Sequence, residues 1–295
     1  MFQVPSGTKG NSPAIYRWEG CEKMFQVPDG TARDMNATLI TGASSGIGEA
    51  FARALAARGH NLVLVARSED KLMRLCSELG RTNRIHCQHV ALDLSKPESP
   101  AKLFEEANSR GLEIDLLINN AGFGSMGDFT EQDLAHELDM IDLNVRSLVE
   151  MTQRFLQPMR ERKTGAIINV ASTAGFQPVP YMATYAATKA FVLSFSEALW
   201  EENRPYGIEV LALCPGVTET GFFAAAHIQK PPARTIETAE QVVETALRGL
   251  KRRKSSIISG APNKMMVATE RLVPRSVVLR TIGSVMRGVG RSPKQ

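Results

Sequence analysis

A tyrosine and a lysine four positions apart, Tyr185 and Lys189, are the first candidates for chemistry in this 295-residue chain. In a helix, residues at positions i and i+4 share one face, so these two side chains would be neighbours. A free tyrosine has a pKa of about 10, and an ammonium group about 4 Å away favours the phenolate by a comparable energy. We therefore expect Lys189 alone to bring Tyr185 near working pH. Such pairs also occur by chance on exposed helices, so the interpretation depends on the surrounding elements.

The segments around this pair alternate between short apolar strands and helices. The predicted strands are 38–41, 61–66, 85–94, 114–118, 166–171, 208–213 and 256–259. The predicted helices are 49–58, 69–79, 101–109, 133–162, the helix that carries Tyr185, and 239–252. This alternation predicts an α/β fold of the Rossmann type, with a doubly wound parallel sheet of about seven strands. Helices would cover both faces, and no linker divides this single domain.

The chain divides into three regions by composition. Residues 1–35 are rich in turn-forming residues and repeat a short motif, Met1-Phe-Gln-Val-Pro and again Met24-Phe-Gln-Val-Pro. We expect them to be a flexible extension that is dispensable for activity, and the alternative is a docking arm. Residues 36–260 form the predicted Rossmann domain, and residues 261–295 form a basic amphipathic segment.

Composition narrows the class of protein. The chain is 43% hydrophobic and 22% charged, which is ordinary for a globular protein and excludes extensive disorder. Four scattered cysteines favour reduced thiols and a cytoplasmic location. No apolar run approaches the roughly 18 residues that cross a bilayer. The net charge is +4, but residues 250–295 alone carry eleven Lys or Arg and one acidic residue.

A glycine-rich loop follows the first predicted strand. Gly42 permits a sharp turn, Gly46 lets the backbone approach a pyrophosphate, and Gly48 lets the next helix pack closely on the strand. The N-terminus of that helix offers free N–H groups and a positive dipole end to phosphate. The predicted phosphate-binding residues are Gly42, Ser44, Ser45, Gly46, Ile47 and Gly48.

The chain resembles the classical short-chain dehydrogenase/reductase family over roughly residues 37–260. The motifs that carry this resemblance stand in the family's order: Thr41-Gly-Ala-Ser-Ser-Gly-Ile-Gly48, Asn119-Asn-Ala-Gly122, Asn144, Ser172, Tyr185-x-x-x-Lys189, and Pro215-Gly216 with Thr218 and Thr220 nearby. The resemblance implies an oxidoreductase that moves a hydride between a nicotinamide cofactor and a carbonyl or secondary alcohol, with no metal.

The resemblance also implies roles for individual residues. Tyr185 would be the acid/base, and Lys189 would lower its pKa. Ser172 would hydrogen-bond the substrate oxygen, and Asn144 would hold a water that links Lys189 to solvent. The predicted cofactor contacts beyond the glycine loop are Arg67, Asp93 at the adenine, Asn120, Ala121, Gly122, Tyr185, Lys189, Pro215, Gly216 and Thr218.

Arg67 indicates which nicotinamide cofactor is preferred. NAD-binding sites place an acidic residue near the end of the second strand, where it bonds the ribose 2′-hydroxyl. This chain has Ala66, Arg67 and Ser68 there, and a guanidinium can pair with a 2′-phosphate through two charge-assisted hydrogen bonds. We therefore predict that NADP(H) is preferred over NAD(H).

Other chemistries have less support. Cys87 would alternate away from His86 and His89 within a predicted strand, so a metal site is not expected. The alternative from another class is a non-catalytic NADP(H)-binding sensor.

For an enzyme we expect an apolar or lipid-like substrate such as a 3-ketoacyl compound, with a pocket formed partly by residues 221–232, including Phe222 and Phe223.

Two kinds of partner are expected besides the small-molecule substrate. By family analogy, the helices that contain Asn144 and Tyr185 would pair subunits into a homodimer or homotetramer. Val278, Ile282, Val285 and Val289 fall on one helical face among arginines such as Arg291, with Pro274 limiting the helix to short pieces. This segment either contacts an anionic membrane peripherally or handles a lipid-like substrate, or it packs on its own domain or a partner subunit. Nucleic-acid binding is not expected, because no aromatic residues interleave with its charges.

Overall fold

A parallel sheet of seven strands organises the part of the chain that the computed structural model describes, residues 36–220, 236–270 and 272–289. In chain order the strands are β1 (Asn36–Thr41), β2 (Asn61–Ala66), β3 (Cys87–Ala91), β4 (Glu113–Asn119), β5 (Gly165–Val170), β6 (Ile208–Cys214), β7 (Thr218–Glu219), β8 (Glu237–Thr238) and β9 (Ser256–Ile258). The main sheet runs β3-β2-β1-β4-β5-β6-β9, and β7 pairs with β8 separately. The predicted Rossmann-type sheet, in a single domain, is confirmed.

The position of a binding crevice follows from this strand order. From β1 the chain proceeds outward to β2 and β3, and then returns to place β4 on the other side of β1. The register sets Thr41 opposite Val65 on one side, and Ile40 opposite Ile118 on the other. In open parallel sheets, ligands bind at the carboxyl ends of the strands where the order reverses. The ends of β1 and β4 mark that point here.

Helices cover both faces of the sheet. They are α1 (Gly46–Ala56), α2 (Glu69–Asn83), α3 (Ser99–Ser109), α4 (Leu134–Ile141), α5 (Leu148–Arg162), α6 (Ala183–Asn203), α7 (Ala239–Lys251), α8 (Ala261–Glu270) and α9 (Arg275–Val289). The core residues of α1, α2 and α7 pack in one cluster, and those of α3 and α5 pack in another. Neighbouring strand residues divide between the clusters, as Ile40 and Leu39 do, because successive side chains point to opposite faces.

Element boundaries differ from the prediction by a few residues at several places, and three of the differences lie close to the candidate site. The predicted helix 133–162 is divided, because residues Asp142–Ser147 between α4 and α5 form a π-helical segment. The first helix begins at Gly46 rather than at residue 49, so part of the glycine loop is already helical. The third strand ends at Ala91, because Asp93 turns the chain by accepting a hydrogen bond from the backbone N–H of Ser95.

Several expectations lie outside the described residues. These are the flexible extension at residues 1–35, the pocket segment 221–232 with Phe222 and Phe223, and Arg291. Within the described ranges, no helix combines the length and the apolar character needed to cross a bilayer.

The basic segment forms two helices on either side of Pro274, α8 and α9. Along α9, Val278 and Ile282 are partly buried, and Gly283 and Met286 are buried, so these residues follow one another at helical spacing. Ile282 and Met286 belong to a cluster with Met182 and Tyr185 of the main domain. One face of α9 therefore packs on its own domain, which is one of the alternatives predicted. Val285, expected on the same face, is instead 52% exposed.

Candidate active site

A cavity of about 420 Å³ opens at the carboxyl ends of the strands. Sixteen of the predicted site residues line it: Gly42, Ser44, Ser45, Gly46, Ile47, Arg67, Asp93, Asn120, Ala121, Gly122, Ser172, Tyr185, Lys189, Pro215, Gly216 and Thr218. Thr220 lines it as well. Gly48 and Asn144 do not line the cavity, and their places are described below. The fold thus brings together segments that are far apart in sequence.

The glycine loop adopts a backbone that only glycine accepts readily. Gly42 and Gly46 have φ values of +65° and +59°. A Cβ on Gly48 would collide with the carbonyl oxygen of Gly42, so its missing side chain lets α1 pack directly on the loop. The side chain of Ser45 makes no capping hydrogen bond at the start of α1. The loop and the first turn of α1 therefore suit the close approach of a pyrophosphate.

Thr41 and Asn120 hold this loop against the end of β4. The Asn120 side-chain amide donates hydrogen bonds to the carbonyl oxygens of Thr41 at 2.9 Å and Gly42 at 3.2 Å. The Thr41 hydroxyl accepts from the backbone N–H groups of Asn120 and Ala121 and donates to the carbonyl of Ile118. Sequence reasoning gave Thr41 no role, although it stands first in the quoted motif.

The preceding residue, Asn119, faces the interior instead. Its amide donates to the Thr152 hydroxyl at 3.0 Å and to the side-chain oxygen of Asn169 at 2.9 Å. These bonds join β4 to α5 and β5. Asn119 therefore steadies the central strand and makes no contact with the cavity.

Charged residues line the end of the cavity that is next to the carboxyl ends of β2 and β3. Arg67 is exposed and follows the last residue of β2. Asp93 accepts hydrogen bonds from the N–H and hydroxyl of Ser95, at 3.0 Å and 2.8 Å. Burial acts to raise the pKa of Asp93, but these bonds and the charges of Arg67 and Lys96 outweigh it and lower the pKa. A carboxylate and a guanidinium therefore share this end of the cavity.

Ser172, Tyr185 and Lys189 meet at the other end. Ser172 caps the short 3-10 turn Thr173–Phe176, where its hydroxyl accepts from the N–H of Ala174 at 3.1 Å. A side-chain hydrogen bond joins Ser172 to Tyr185. The Lys189 ammonium donates to the carbonyl of Val170 at 2.7 Å and lies 5.8 Å from the centroid of the Tyr185 ring. Both α6 side chains thus share the predicted face.

Burial shifts both of these groups toward their neutral forms. It raises the pKa of Tyr185 to about 12, opposed by the hydrogen bond from Ser172. Burial also lowers the pKa of Lys189 to about 8. The expectation that Lys189 alone lowers the pKa of Tyr185 toward neutrality is therefore not met. Removal from water opposes the charged form of each residue, and the group that lowers the pKa of Tyr185 is Ser172 rather than Lys189.

Asn144 lies in the π-helical segment and is almost fully buried. Its amide nitrogen donates to the carbonyl of Phe123 at 2.9 Å and to the Thr188 hydroxyl at 3.1 Å, and its oxygen accepts from the N–H of Phe123. A Cβ on Gly122 would meet the Asn144 side-chain oxygen at 2.8 Å and the Lys189 ammonium at 3.6 Å. Asn144 therefore sits behind the cavity wall, close to Lys189.

Two further features of the site escaped sequence reasoning. Thr188 bridges Asn144 to α6, because its hydroxyl also donates to the Tyr185 carbonyl at 2.8 Å. The only sign of this role in the sequence was the position of Thr188 between Tyr185 and Lys189. Phe123, Leu143 and Met182 add an apolar side to the cavity, and none of them belongs to a motif.

The cavity has the features that a dinucleotide requires. One end offers a glycine loop at a helix N-terminus, the other offers buried hydroxyl and ammonium groups, and Arg67 stands beside the second strand. Among the described residues, no cluster of three or more His, Cys, Asp or Glu could hold a metal ion.

Known proteins resemble this chain over most of its length. The family model for short chain dehydrogenase matches residues 36–230. The very-long-chain 3-oxoacyl-CoA reductase of Rattus norvegicus is 33% identical over 254 residues, covering 83% of this chain and 77% of that protein. The ketoacyl reductase HetN of Nostoc sp. is 30% identical over 246 residues, covering 81% and 85%. A short-chain dehydrogenase from Sphingobium yanoikuyae in complex with NADPH superposes with a TM-score of 0.73 at 34% identity, covering 80% of this chain and 94% of that one.

Proposed function

The chain belongs to the short-chain dehydrogenase/reductase family, an oxidoreductase acting on CH–OH/C=O groups with NAD(P), and we propose that it reduces a carbonyl with NADPH, using Tyr185 as the proton donor. The observation that carries this proposal is the meeting of Ser172, Tyr185 and Lys189 in the same cavity as the glycine loop and Arg67. The alternative, a non-catalytic NADP(H)-binding sensor, would not require these buried polar groups to converge.

The cofactor would lie along the cavity from the glycine loop to Tyr185. The first turn of α1 would hold the pyrophosphate, Asp93 the adenine, and Arg67 the 2′-phosphate. The NADPH bound to the relative from Sphingobium yanoikuyae supports this preference. Lys189 uses one ammonium donor on Val170, so further donors remain for a cofactor hydroxyl. When bound, the nicotinamide supplies the hydride.

Proton transfer falls to the residues at the opposite end. Tyr185 would give its hydroxyl proton to the carbonyl oxygen as the hydride reaches the carbon, and the Ser172 hydroxyl would stabilise the developing charge there. The raised pKa of Tyr185 keeps it protonated before reaction. Asn144 would hold a water, and a proton would return from this water to Tyr185 by way of Lys189. The side-chain amide of Asn144 lies behind the cavity wall, close to Lys189.

An apolar or lipid-like substrate, such as a 3-ketoacyl compound, fits the substrate side of the cavity. Phe123, Leu143 and Met182 supply apolar surface in the cavity, and Met182 packs in the same cluster as Tyr185. The relatives from Rattus norvegicus and Nostoc, named as reductases of oxoacyl or ketoacyl compounds, support this class.

An NADPH-oxidation screen tests the function. The purified protein would be offered ketones, aldehydes and 3-oxoacyl thioesters, with Tyr185→Phe as the matched control. We expect turnover of 3-oxoacyl thioesters and a loss of about 10²- to 10⁴-fold in kcat for Tyr185→Phe. NADPH binding, followed by its fluorescence, should be retained in the variant. Binding of NADPH with no turnover of any carbonyl would favour the sensor.

The remaining partners and the location are also proposals. Exposed apolar residues on α4 (Leu134, Leu138 and Ile141) and Phe191 on α6 support a homodimer or homotetramer through these helices. Free thiols at Cys76, Cys87 and Cys214 support a cytoplasmic location.

Peripheral membrane contact has support from α8, α9 and the turn between them. Met265 is 70% exposed, Leu272 is 86% exposed and Val277 is 49% exposed, in a segment with a strong excess of basic residues. Such a surface suits an anionic bilayer. Flotation with vesicles containing phosphatidylserine tests this proposal, with Leu272→Glu and Val277→Glu combined as the variant. Equal recovery of both proteins would end the membrane proposal.

A further inference from the structure

A second cavity, of about 590 Å³, lies between α9 and the domain it packs on. The α9 wall contains Arg280, Gly283 and Arg287, and the facing walls come from the chain around Asp128 and from the segment that leads into α6. A Cβ on Gly283 would approach Pro180 at 3.5 Å, so the helix lies close to that segment. The cavity is large enough to hold a substantial part of a small molecule.

This cavity stands directly beside the substrate side of the active site. Met182 lines the first cavity, whereas its neighbours Tyr181 and Ala183 line the second. Ile282 and Met286 of α9 belong to the same apolar cluster as Met182 and Tyr185. The two cavities are therefore neighbours, and Met182 and the residues on either side of it form the wall between them.

The second cavity is lined by two arginines and two carboxylates, and the arginines are not paired with the carboxylates. Arg280 and Arg287 are two helical turns apart, so they share one face of α9. Neither forms an ion pair with any residue in the described ranges. Two acidic residues also line the cavity. Glu137 accepts a hydrogen bond from the buried hydroxyl of Ser125. Asp128 accepts from the N–H and hydroxyl of Thr130, at 3.0 Å and 2.7 Å. These bonds leave both carboxylates charged, but neither pairs with Arg280 or Arg287, so the two guanidinium groups keep their donors for another anion.

We propose that Arg280 and Arg287 bind the phosphate groups of a carrier-linked thioester, whose 3-oxoacyl end reaches Tyr185. This inference rests on the proposed function and assigns the site for the carrier part of its substrate. Guanidinium groups bind phosphate through paired, charge-assisted hydrogen bonds, which a neutral acyl chain cannot offer. Arg67 stands at the cofactor end of the first cavity, so the phosphates of the cofactor and of the substrate have separate sites.

The phosphate can come from coenzyme A or from the phosphopantetheine of a carrier protein. Three thioesters of one 3-oxoacyl group separate these sources: the coenzyme A thioester, the phosphopantetheine thioester and the N-acetylcysteamine thioester, which has no phosphate. The variants are Arg280→Gln, Arg287→Gln and both together. Arg275→Gln is the matched control, because Arg275 is exposed on the same helix and does not line the cavity.

We expect the double variant to raise KM for the coenzyme A thioester by about 10-fold or more, with little change in kcat. The N-acetylcysteamine thioester should be reduced equally by all the proteins. A rise in KM with phosphopantetheine as well would assign the arginines to its phosphate; a rise with coenzyme A alone would assign them to the nucleotide phosphates. Equal losses on all three thioesters, or no loss on any, would overturn the inference.

Binding of coenzyme A alone to the NADPH-saturated protein provides a test that is independent of turnover. By calorimetry, we expect binding to the wild type and to Arg275→Gln, and weaker binding to the double variant. If the wild type reduces simple ketones but does not bind coenzyme A or distinguish the thioesters, the inference fails while the reductase function stands. If no carbonyl is reduced but coenzyme A binds through the two arginines, the proposed function fails and the site stands.

Discussion

The ammonium nitrogen of Lys189 lies 2.7 Å from the carbonyl oxygen of Val170, the last residue of β5. This hydrogen bond ties α6 to the carboxyl end of a central strand. It leaves the ammonium 5.8 Å from the centroid of the Tyr185 ring. The backbone of β5 therefore holds Lys189 in place beside the Tyr185 ring.

The depressed pKa of Lys189 should appear as a pH dependence of stability in the cofactor-free protein. The folded pKa is about 8, against an ordinary value of 10.5. Between these values the unfolded chain binds a proton that the folded chain does not, so stability rises with pH. Urea unfolding at pH 7.5 and pH 10 should show about 2 kcal/mol more gain for the wild type than for Lys189→Met.

Two neighbouring residues lower the free energy of unfolding at high pH, opposite to the effect of Lys189. Burial raises the pKa of Tyr185 and of Cys214, so both lower stability as the unfolded chain loses their protons. They are present in wild type and variant alike, so the difference between the two proteins isolates Lys189. Lys71→Met, on the exposed surface of α2, should keep the wild-type slope. Parallel curves for wild type and Lys189→Met would contradict the lowered pKa.

Gly48→Ala should damage both stability and cofactor binding. The added Cβ would collide with the Gly42 carbonyl oxygen and meet the Asn120 amide nitrogen at 2.6 Å, and neither can move without breaking the loop. We expect a loss of about 1–3 kcal/mol in the free energy of unfolding and weaker NADPH binding. Gly80→Ala is the control, since its Cβ would meet only the Ile85 carbonyl, at 3.4 Å. Unchanged NADPH affinity in Gly48→Ala would contradict this role.

Arg67→Asp should shift cofactor preference toward NAD(H). The change removes the guanidinium that we propose pairs with the 2′-phosphate, and it places a carboxylate where it would repel that group. Loss of charge-assisted hydrogen bonds alone corresponds to about a 10- to 100-fold decrease in kcat/KM for NADPH. Arg74→Asp makes the same change of charge on α2, outside the cavity. The measurement is the ratio of kcat/KM with NADPH to kcat/KM with NADH. An unchanged ratio in Arg67→Asp would refute the assignment.

Leu138→Glu should weaken subunit pairing. Leu138 is 52% exposed on α4, and a buried carboxylate in the proposed interface would be unpaired. We expect the dissociation constant of the oligomer to rise by about 10-fold or more, as measured by light scattering across a dilution series. Met73→Glu, equally exposed on α2, should leave the mass unchanged. If only Met73→Glu dissociates the oligomer, the interface lies elsewhere.

Local spacing explains why so much of the site was predictable. The glycine loop and the Tyr185–Lys189 pair are set by backbone rules that act over a few residues, and the alternation of strands and helices brings them to one edge of the sheet. The π-helical segment at Asn144 was not predictable, because helical periodicity in 133–162 does not show where one extra residue is inserted.

Tertiary contacts account for what the sequence could not reveal. Thr41 and Thr188 act through hydrogen bonds to partners chosen by the fold. The pKa of Tyr185 moved opposite to the expectation, because the spacing of two residues reveals their interaction but not how deeply the fold buries them. Likewise, the apolar face of α9 was visible, but its packing against the Met182 cluster was not.

The packing of Ile282 and Met286 beside Met182 has an evolutionary consequence. Within the described ranges, no residue of α9 lines the cavity that contains the glycine loop and Arg67. If α9 binds the carrier part of the substrate as proposed, mutations in α9 would change which substrates are accepted and leave the dinucleotide site intact. Substrate range and cofactor affinity would then be selected separately, on different segments of the chain.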